Sequence, residues 1–341
     1  MKQNPDFAKY LTDFLMKYLP GTLNVSKNTI VSYRDTFKLF LLFMEEEKKN
    51  PPDKICLQRI TYQNVIDFLD WIEKKRSCSI STRNQRLAAL HSFLKYAQRE
   101  CPENLYEIQR ILKIPSKRAP KPNIQFMTLS EIEILLAQPD TSIKNGRRDL
   151  TMLALMYDSA ARVQELIDLT IKSVRLEAPA VVILHGKGNK TRTVPIMQNT
   201  VLLLRGYLKE QNCNRYILDN ESPLFFNQQK QKLTRKGVSH ILNKYVSAAK
   251  ENPVFTRIEK VTCHILRHSR AAHMIQAGIP LIYIRDFLGH ASVQSTEIYA
   301  RLNNEIKRKA IESAYIDLNT PDYPSWDDDA NLIDWLTNLC K

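Results

Sequence analysis

The first third of the chain shows the hydrophobic spacing of amphipathic helices. Apolar residues recur at intervals of three and four, the period of one helix face, in three successive runs. These runs are Tyr33, Phe37, Phe40, Leu41 and Met44; Val65, Phe68, Leu69 and Ile72; and Leu87, Leu90, Phe93, Leu94 and Tyr96. Ser26 precedes the first run and is a residue type that caps helix N-termini. Residues 1–112 are therefore predicted to form a small all-α bundle.

Residues 113–123, KIPSKRAPKPN, interrupt this pattern. The segment holds three prolines and no acidic residue, so it is predicted to be an extended basic linker between two domains. Beyond it, Thr128 and Glu131 match a capping box that opens a new helix. A second domain is predicted over residues 124–316.

The second domain contains one change of period. AVVILH at 180–185 is a β-branched run, GKGNK supplies turn residues, and TRTVPI follows, which predicts a β-hairpin with a basic tip. Helical spacing resumes near 199–210, 236–249, 264–276, 281–288, 292–300 and 303–315. Gly278 and Gly289 are placed to end two of these helices. The fold class is therefore predicted to be mainly α with a small antiparallel β-sheet.

Charge and composition narrow the function classes. The 50 Lys and Arg residues against 36 Asp and Glu residues give a net charge of +14, which is typical of nucleic-acid binders and, less often, of membrane-surface proteins. The hydrophobic fraction of 43% excludes disorder as the main state. No apolar stretch approaches the length of a membrane span, and the six cysteines form no C-x-x-C pair. We expect a cytoplasmic, nucleoid-associated protein with no membrane contact, no metal and no cofactor.

Five features of the second domain carry candidate chemistry. They are Arg162 with Glu165 in ARVQEL, Lys187 in HGKGNK, His264 with Arg267 in HILRH, His290 in LGH, and Tyr299 nine residues later. In this order they resemble the tyrosine recombinase family, also called the phage integrase family. The resemblance covers the second domain and extends to the linker and the helical domain, which would be the family's SAM-like core-binding domain.

The chemistry of DNA strand breakage gives these residue types separate roles. If neither a metal ion nor water takes part, the reaction needs a nucleophile from the protein, cations beside the phosphate oxygens and an acid that protonates the departing 5′ oxygen. Arg162 and Arg267 suit the cation role because a guanidinium is permanently charged and planar. Lys187 at the hairpin tip is the candidate general acid. Tyr299, with an ordinary pKa near 10, would need nearby cations or a base to attack.

The resemblance adds further expectations. It implies a 3′-phosphotyrosine intermediate at Tyr299, with a free 5′-hydroxyl. It also implies that His264 and His290 position the phosphate and assist proton transfer, and that Glu165 braces the arginines. A zinc site at His264 and His268 is disfavoured because Arg267 lies between them and no glutamate stands at the zincin position.

The chain departs from the family at one turn. Where the family commonly has Thr-Gly before a third residue, this chain has Ser159-Ala160-Ala161. The loss of glycine predicts a turn that needs no positive φ there.

Further basic residues are candidates for contacts with double-stranded DNA. They are Arg83, Arg86, Lys117, Arg118, Lys121, Lys190, Arg192, Lys230, Lys232, Arg235 and Lys236.

The last 25 residues, 317–341, form an acidic tail with an apolar stripe. Six aspartates stand against one lysine, and residues 326–340 predict a short amphipathic helix. By the resemblance, this helix docks on a neighbouring protomer in a homo-tetramer on two DNA sites; docking on its own domain stays open.

The predicted function is site-specific DNA recombination, as the integrase or transposase of a mobile element or as a resolvase. Two alternatives stay open: type IB topoisomerase-like relaxation, and a catalytically inactive architectural DNA-binding protein.

Overall fold

The computed structural model describes residues 6–100, 104–120, 125–186, 190–213, 220–255, 258–290 and 332–339. The chain divides into two compact units, Met1–Pro122 and Asn123–Lys341. Mainly helical structure with one small antiparallel sheet is found, so the predicted fold class is confirmed. No helix of the described residues is long and apolar enough to cross a membrane.

The N-terminal unit is a helical bundle. Its elements are α1 Phe7–Asp13, which continues as a π-helical segment Phe14–Thr22, then α2 Lys27–Glu46, α3 Tyr62–Lys74, α4 Ile80–Glu100 and α5 Leu105–Leu112. Ser26 caps α2 as predicted, because its hydroxyl accepts a hydrogen bond from the backbone N–H of Thr29 at 3.3 Å. Aromatic rings fill the core; Phe93, for example, meets Phe37 edge to face at 5.1 Å between centroids.

The second unit places helices around a three-stranded sheet. Its helices are α6 Leu129–Leu136, α7 Lys144–Asp158, α8 Val163–Ile167, α9 Gln198–Cys213, α10 Arg235–Ala249, α11 Cys263–Gln276 and α12 Leu281–Leu288. The strands are β1 Val174–Arg175, β2 Val181–His185 and β3 Thr191–Pro195, in the order β1-β2-β3. The capping box of Thr128 and Glu131 opens α6, as predicted.

The predicted hairpin is present as β2 and β3. Val182 pairs with Val194 and Leu184 pairs with Arg192 in the antiparallel register. Val182, Leu184 and Val194 are fully buried, so this face of the sheet packs into the core. Arg192, two residues before Val194, lies on the same face of its strand.

Helix ends in this unit follow the sequence signals. Gly289 adopts φ +63° and ends α12, and Gly278 adopts φ +79° after α11. The tail contains a short helix, α13, over Leu332–Asn338. The rest of the predicted tail helix, at 326–331 and 340, lies outside the described residues, as do the predicted helices 292–300 and 303–315.

The turn between α7 and α8 corrects one expectation. Ala160 has φ +48°, so the position keeps the left-handed conformation although it lacks glycine. For an L-residue this conformation costs about 1–2 kcal/mol relative to the right-handed helix. Ala160 is fully buried beside Ala271, Ile284 and Leu288, which hold the turn in place.

Candidate active site

Four of the six predicted catalytic residues lie in the described part of the second unit. Arg162 is the residue before α8, His264 and Arg267 lie in the first turns of α11, and His290 follows the glycine that ends α12. A cleft of about 390 Å³ opens between these elements and the hairpin; it is lined by Arg162, Gly186, Lys190, Thr191, Arg192, Asp286, Gly289 and His290. The other two predicted residues, Lys187 and Tyr299, lie outside the described residues.

Arg267 is the most deeply buried of these four side chains, at 1% exposure. Its guanidinium donates to the carbonyl of Ala160 at 2.7 Å and to the carbonyl of Leu288 at 2.6 Å. The Leu288 carbonyl belongs to the C-terminal end of α12, where the helix dipole is negative and favours a cation. Arg267 therefore joins the left-handed turn before Arg162 to the end of the helix that precedes His290.

Arg162 is held by Glu165 through both backbone and side chain. The backbone N–H of Arg162 donates to Glu165 Oε2 at 2.8 Å, and Arg162 Nη1 donates to Oε1 at 2.6 Å. Arg162 remains 33% exposed, whereas Glu165 is 3% exposed. The bracing contact expected for Glu165 is thus present in the structure, and Arg162 Nη2 is directed at the carbonyl of Gly289, at 3.5 Å, on the border of the cleft.

The Glu165 carboxyl is ionised at every ordinary pH. Burial on its own raises the pKa of Glu165, but hydrogen bonds and charges from Arg192 and Arg162 outweigh burial and lower the pKa from 4.5 to about 2. The carboxylate therefore remains available to accept from both arginines.

The histidines of the site are neutral at neutral pH. Burial and then the charges of Arg267, Arg162 and Arg192 lower the pKa of His290 to about 4. The pKa of His268 is also lowered to about 4, first by burial and then by His264 and Arg267. Partial burial of the ring, and then the charges of Arg267 and Arg162, lower the pKa of His264. A neutral imidazole can accept one proton and donate another, as proton transfer requires.

Most of the predicted DNA-contact residues carry exposed cations. Lys117, Arg118, Lys190, Lys230, Lys232, Arg235 and Lys236 are exposed. Some of them have internal partners: Lys117 pairs with Glu73, and Lys232 pairs with Asp168. Lys121 lies outside the described residues.

Three of the predicted DNA-contact arginines bind other residues of the protein instead. Arg83 is 4% exposed, with Nε 3.5 Å from Glu73. Arg86 donates from Nη1 to the carbonyl of Ser32 and the hydroxyl of Thr36, which ties α4 to α2. These side chains are directed into the helical bundle, because the charged ends of long side chains can be buried where acceptors are present. The structure therefore does not support a phosphate contact for Arg83.

The third of these residues, Arg192, was expected to contact the DNA backbone. Its side chain is only 10% exposed and donates to both carboxylate oxygens of Glu165, at 2.8 and 2.7 Å. The sequence held a signal for this role that the prediction missed. Strand alternation places Arg192 on the same side as Val194, which faces the core.

Comparison with known proteins identifies the family. The phage integrase family model matches residues 125–305, and the N-terminal SAM-like domain of phage integrases matches residues 12–101. The protein y4rC of Sinorhizobium fredii, assigned to the integrases or recombinases, is 34% identical over 311 residues, or 91% of this chain and 92% of that protein. Tyrosine recombinase XerC of Bacillus subtilis is 30% identical over 312 residues, or 90% and 96% of the two chains. The chain therefore belongs to the phage integrase family.

Solved structures agree with this assignment. XerH site-specific recombinase bound to its difH substrate has a TM-score of 0.64 at 25% identity, covering 84% of this chain and 79% of XerH. The Tn1549 transposon integrase in complex with transposon right end DNA has a TM-score of 0.68 at 15% identity, covering 89% and 98%, which shows a shared fold. The protein is a tyrosine site-specific recombinase, an enzyme that breaks and rejoins DNA strands. Topoisomerase-like relaxation and a purely architectural role are not favoured.

Proposed function

We propose that the protein cuts double-stranded DNA with Tyr299 and uses Arg162, Lys187, His264, Arg267 and His290 as the remaining catalytic groups. The observation that carries this proposal is a cleft lined by Arg162 and His290, with Arg267 and His264 close enough that the charges of both arginines lower the pKa of both histidines. A phosphodiester carries one negative charge, so two guanidinium groups overcompensate it and favour the additional charge of the transition state.

The proposed reaction is a transesterification. The phenolic oxygen of Tyr299 attacks phosphorus, the bond from phosphorus to the 5′ oxygen breaks, and a 3′-phosphotyrosine forms. A neutral imidazole, of His264 or His290, accepts the phenolic proton, and Lys187 donates a proton to the departing 5′ oxygen. Rejoining reverses these steps with a 5′-hydroxyl of another strand. One phosphate ester is exchanged for another, so neither ATP nor a metal is consumed.

The domain roles are also proposals. Residues 1–112 act as the core-binding domain, 113–123 as a basic linker, 124–316 as the catalytic domain and 317–341 as a tail for subunit contact. The net charge of +14 supports binding to a DNA duplex. The Xer and transposon-integrase relatives support a role as the recombinase of a mobile element or as a resolvase.

We further propose that the tail docks on a neighbouring protomer of a homo-tetramer. Leu336 in α13 is 50% exposed, and Leu339, which follows the helix, is 51% exposed. The tail therefore presents apolar surface that its own chain covers only in part. Deletion of residues 317–341 should abolish assembly on DNA with two sites while binding to a single site persists. Light scattering of the protein–DNA complexes measures this, and tetramers formed by the truncated protein would contradict the docking.

Covalent trapping tests the proposed catalysis. The protein is incubated with fragmented DNA from its host, quenched with SDS, and the DNA that remains attached is sequenced. We expect fragments that share one sequence, and we expect none with Tyr299→Phe. Tyr283→Phe is the matched control, because Tyr283 is 65% exposed on α12 and is assigned no catalytic role. Adducts that persist with Tyr299→Phe, or a wild type that binds DNA without forming any adduct, would contradict the proposal.

A further inference from the structure

Arg192 has the placement of a residue that organises the site rather than one that contacts substrate. It lies on β3, paired with Leu184 of β2 and next but one to the buried Val194. The neighbours Thr191 and Thr193 are exposed, whereas the Arg192 side chain is 10% exposed. Arg192 is among the residues that line the cleft, but its guanidinium is largely covered and its donors are directed at protein groups.

The donors of Arg192 are directed at two separate elements. Nη1 and Nη2 donate to Oε1 and Oε2 of Glu165 at 2.8 and 2.7 Å, which is the two-bond geometry that a guanidinium and a carboxylate favour. Nε donates to the carbonyl of Phe287 at 3.0 Å, in the last turn of α12. One side chain thus joins β3 to the start of α8 and to the end of α12.

The Glu165 end of this connection reaches Arg162. Glu165 Oε1 accepts from both Arg192 and Arg162, at 2.8 and 2.6 Å. A carboxylate with two hydrogen bonds from one buried guanidinium has a fixed position and orientation. The Arg162 guanidinium is therefore held against a fixed acceptor while it remains one-third exposed toward the cleft.

The α12 end of the connection reaches His290. A Cβ atom added to Gly289 would lie 2.9 Å from Arg192 Cδ and 3.1 Å from Nη1, so the Arg192 side chain packs directly on this glycine. Gly289 has φ +63° and immediately precedes His290. The path of the chain into His290 is thus set partly by contact with Arg192.

We propose that Arg192 is a positioning residue that holds Arg162 and His290 in their catalytic arrangement and does not contact DNA. This inference rests on the proposed function, because it assigns to Arg162 and His290 the phosphate in the cleft. It gives the hairpin that carries Lys187 a second role, in which its far strand supports the groups that face the phosphate.

The test measures DNA cleavage and DNA binding separately, on a fragment recovered by trapping with a nick placed beside the cleavage site. Single-turnover adduct formation is measured at saturating protein, and affinity is measured by gel retardation. For Arg192→Gln we expect the cleavage rate to fall about 100-fold or more with affinity within about threefold of wild type. Arg192→Lys, which keeps the charge, should recover part of the rate. Arg175→Gln, on the exposed edge strand of the same sheet, is the matched control.

A double variant distinguishes positioning from general loss of structure. If Arg192 acts partly through Arg162, adding Arg192→Gln to Arg162→Lys should lower the rate by a smaller factor than it does in the wild type, because one of the two groups it positions is already impaired. Multiplied effects of the two changes would overturn the inference, as would weaker binding with an unchanged rate at saturation. If Arg192→Gln does not fold, the same comparison is made with Arg192→Lys.

The failure of this inference is distinguishable from failure of the proposed function. A wild-type protein that forms no adduct overturns both. A wild-type protein that forms the adduct, with both Arg192 variants cleaving at the wild-type rate, overturns the inference alone.

Discussion

Replacing Glu165 by glutamine should strongly destabilise the second unit. The change keeps the size of the side chain but replaces the carboxylate, which accepts hydrogen bonds from Arg162 and Arg192, by a neutral amide. The carboxyl has a pKa of about 2 in the folded protein against an ordinary 4.5. At about 1.4 kcal/mol per pH unit, this difference corresponds to about 3 kcal/mol of folding free energy at neutral pH. That loss is a large part of the roughly 5–15 kcal/mol that stabilises a typical domain.

The sign of the pH dependence follows from the lowered pKa. Because the folded state holds the carboxylate and the unfolded state protonates near pH 4.5, the contribution is complete above pH 4.5 and is lost as the pH falls toward 2. The difference between wild type and Glu165→Gln should therefore be largest at pH 7 and should shrink below pH 4.5.

Urea unfolding followed by circular dichroism measures this effect, with hydrogen exchange of α11 to assign the transition to the second unit. A loss of about 3 kcal/mol should lower the midpoint by about 1–2 M urea. Glu177→Gln is the control, since Glu177 is exposed. A Glu165→Gln protein within about 0.5 kcal/mol of wild type at pH 7 would refute the reasoning that the carboxylate stabilises the paired arginines.

Three further predictions concern the same unit. Arg267→Lys should lose about 1.5–3 kcal/mol of stability, because an ammonium cannot reproduce the two fixed hydrogen bonds that join Ala160 and Leu288. The same change should abolish adduct formation. Urea unfolding measures the first effect and SDS trapping the second, and an unchanged unfolding midpoint would contradict the first. Ala160→Val should cost more than about 2 kcal/mol of unfolding free energy, since a branched side chain in a buried left-handed position is strained. Ala160→Gly should stay within about 1 kcal/mol, because relief of strain opposes the lost methyl group and the added freedom of the unfolded chain. Equal urea midpoints for the two variants would be evidence against the left-handed turn. Acidification from pH 6.5 to 4 should destabilise the unit, because burial lowers the pKa of His268 to about 4 and the unfolded state therefore takes up the proton first. Unfolding curves at successive pH values measure this decline in stability, and His268→Gln should make it less steep.

Elements with local signals were predictable from the sequence. Ser26 and the Thr128–Glu131 pair cap their helices through hydrogen bonds within four residues, so the spacing alone specifies them. Gly289 ends its helix because the left-handed conformation favours glycine. The hairpin followed from two β-branched runs around a turn sequence.

The structure departs from the sequence-based expectations where tertiary contacts override a local pattern. Ala160 lacks the glycine signal, yet Arg267 and the surrounding apolar residues hold it at positive φ. Arg83 and Arg192 were predicted to contact DNA because of their charge, but each side chain is largely buried beside a carboxylate, Arg83 beside Glu73 and Arg192 beside Glu165. A basic residue on a core-facing position of a helix or strand indicates an internal partner, and the sequence does not reveal which acidic residue this partner is.

The burial of Arg267 has a consequence for how this enzyme can decay. Among the described residues it is one of the largest side chains with almost no exposure, and its two carbonyl contacts join the turn at Ala160 to the end of α12. A lineage that no longer required DNA cleavage would still be selected to keep Arg267, because its loss should destabilise the domain. Exposed His264 carries no such constraint and would drift first. Retention of the buried arginine in a degenerate copy therefore records selection for folding, and the state of the exposed positions records selection for catalysis.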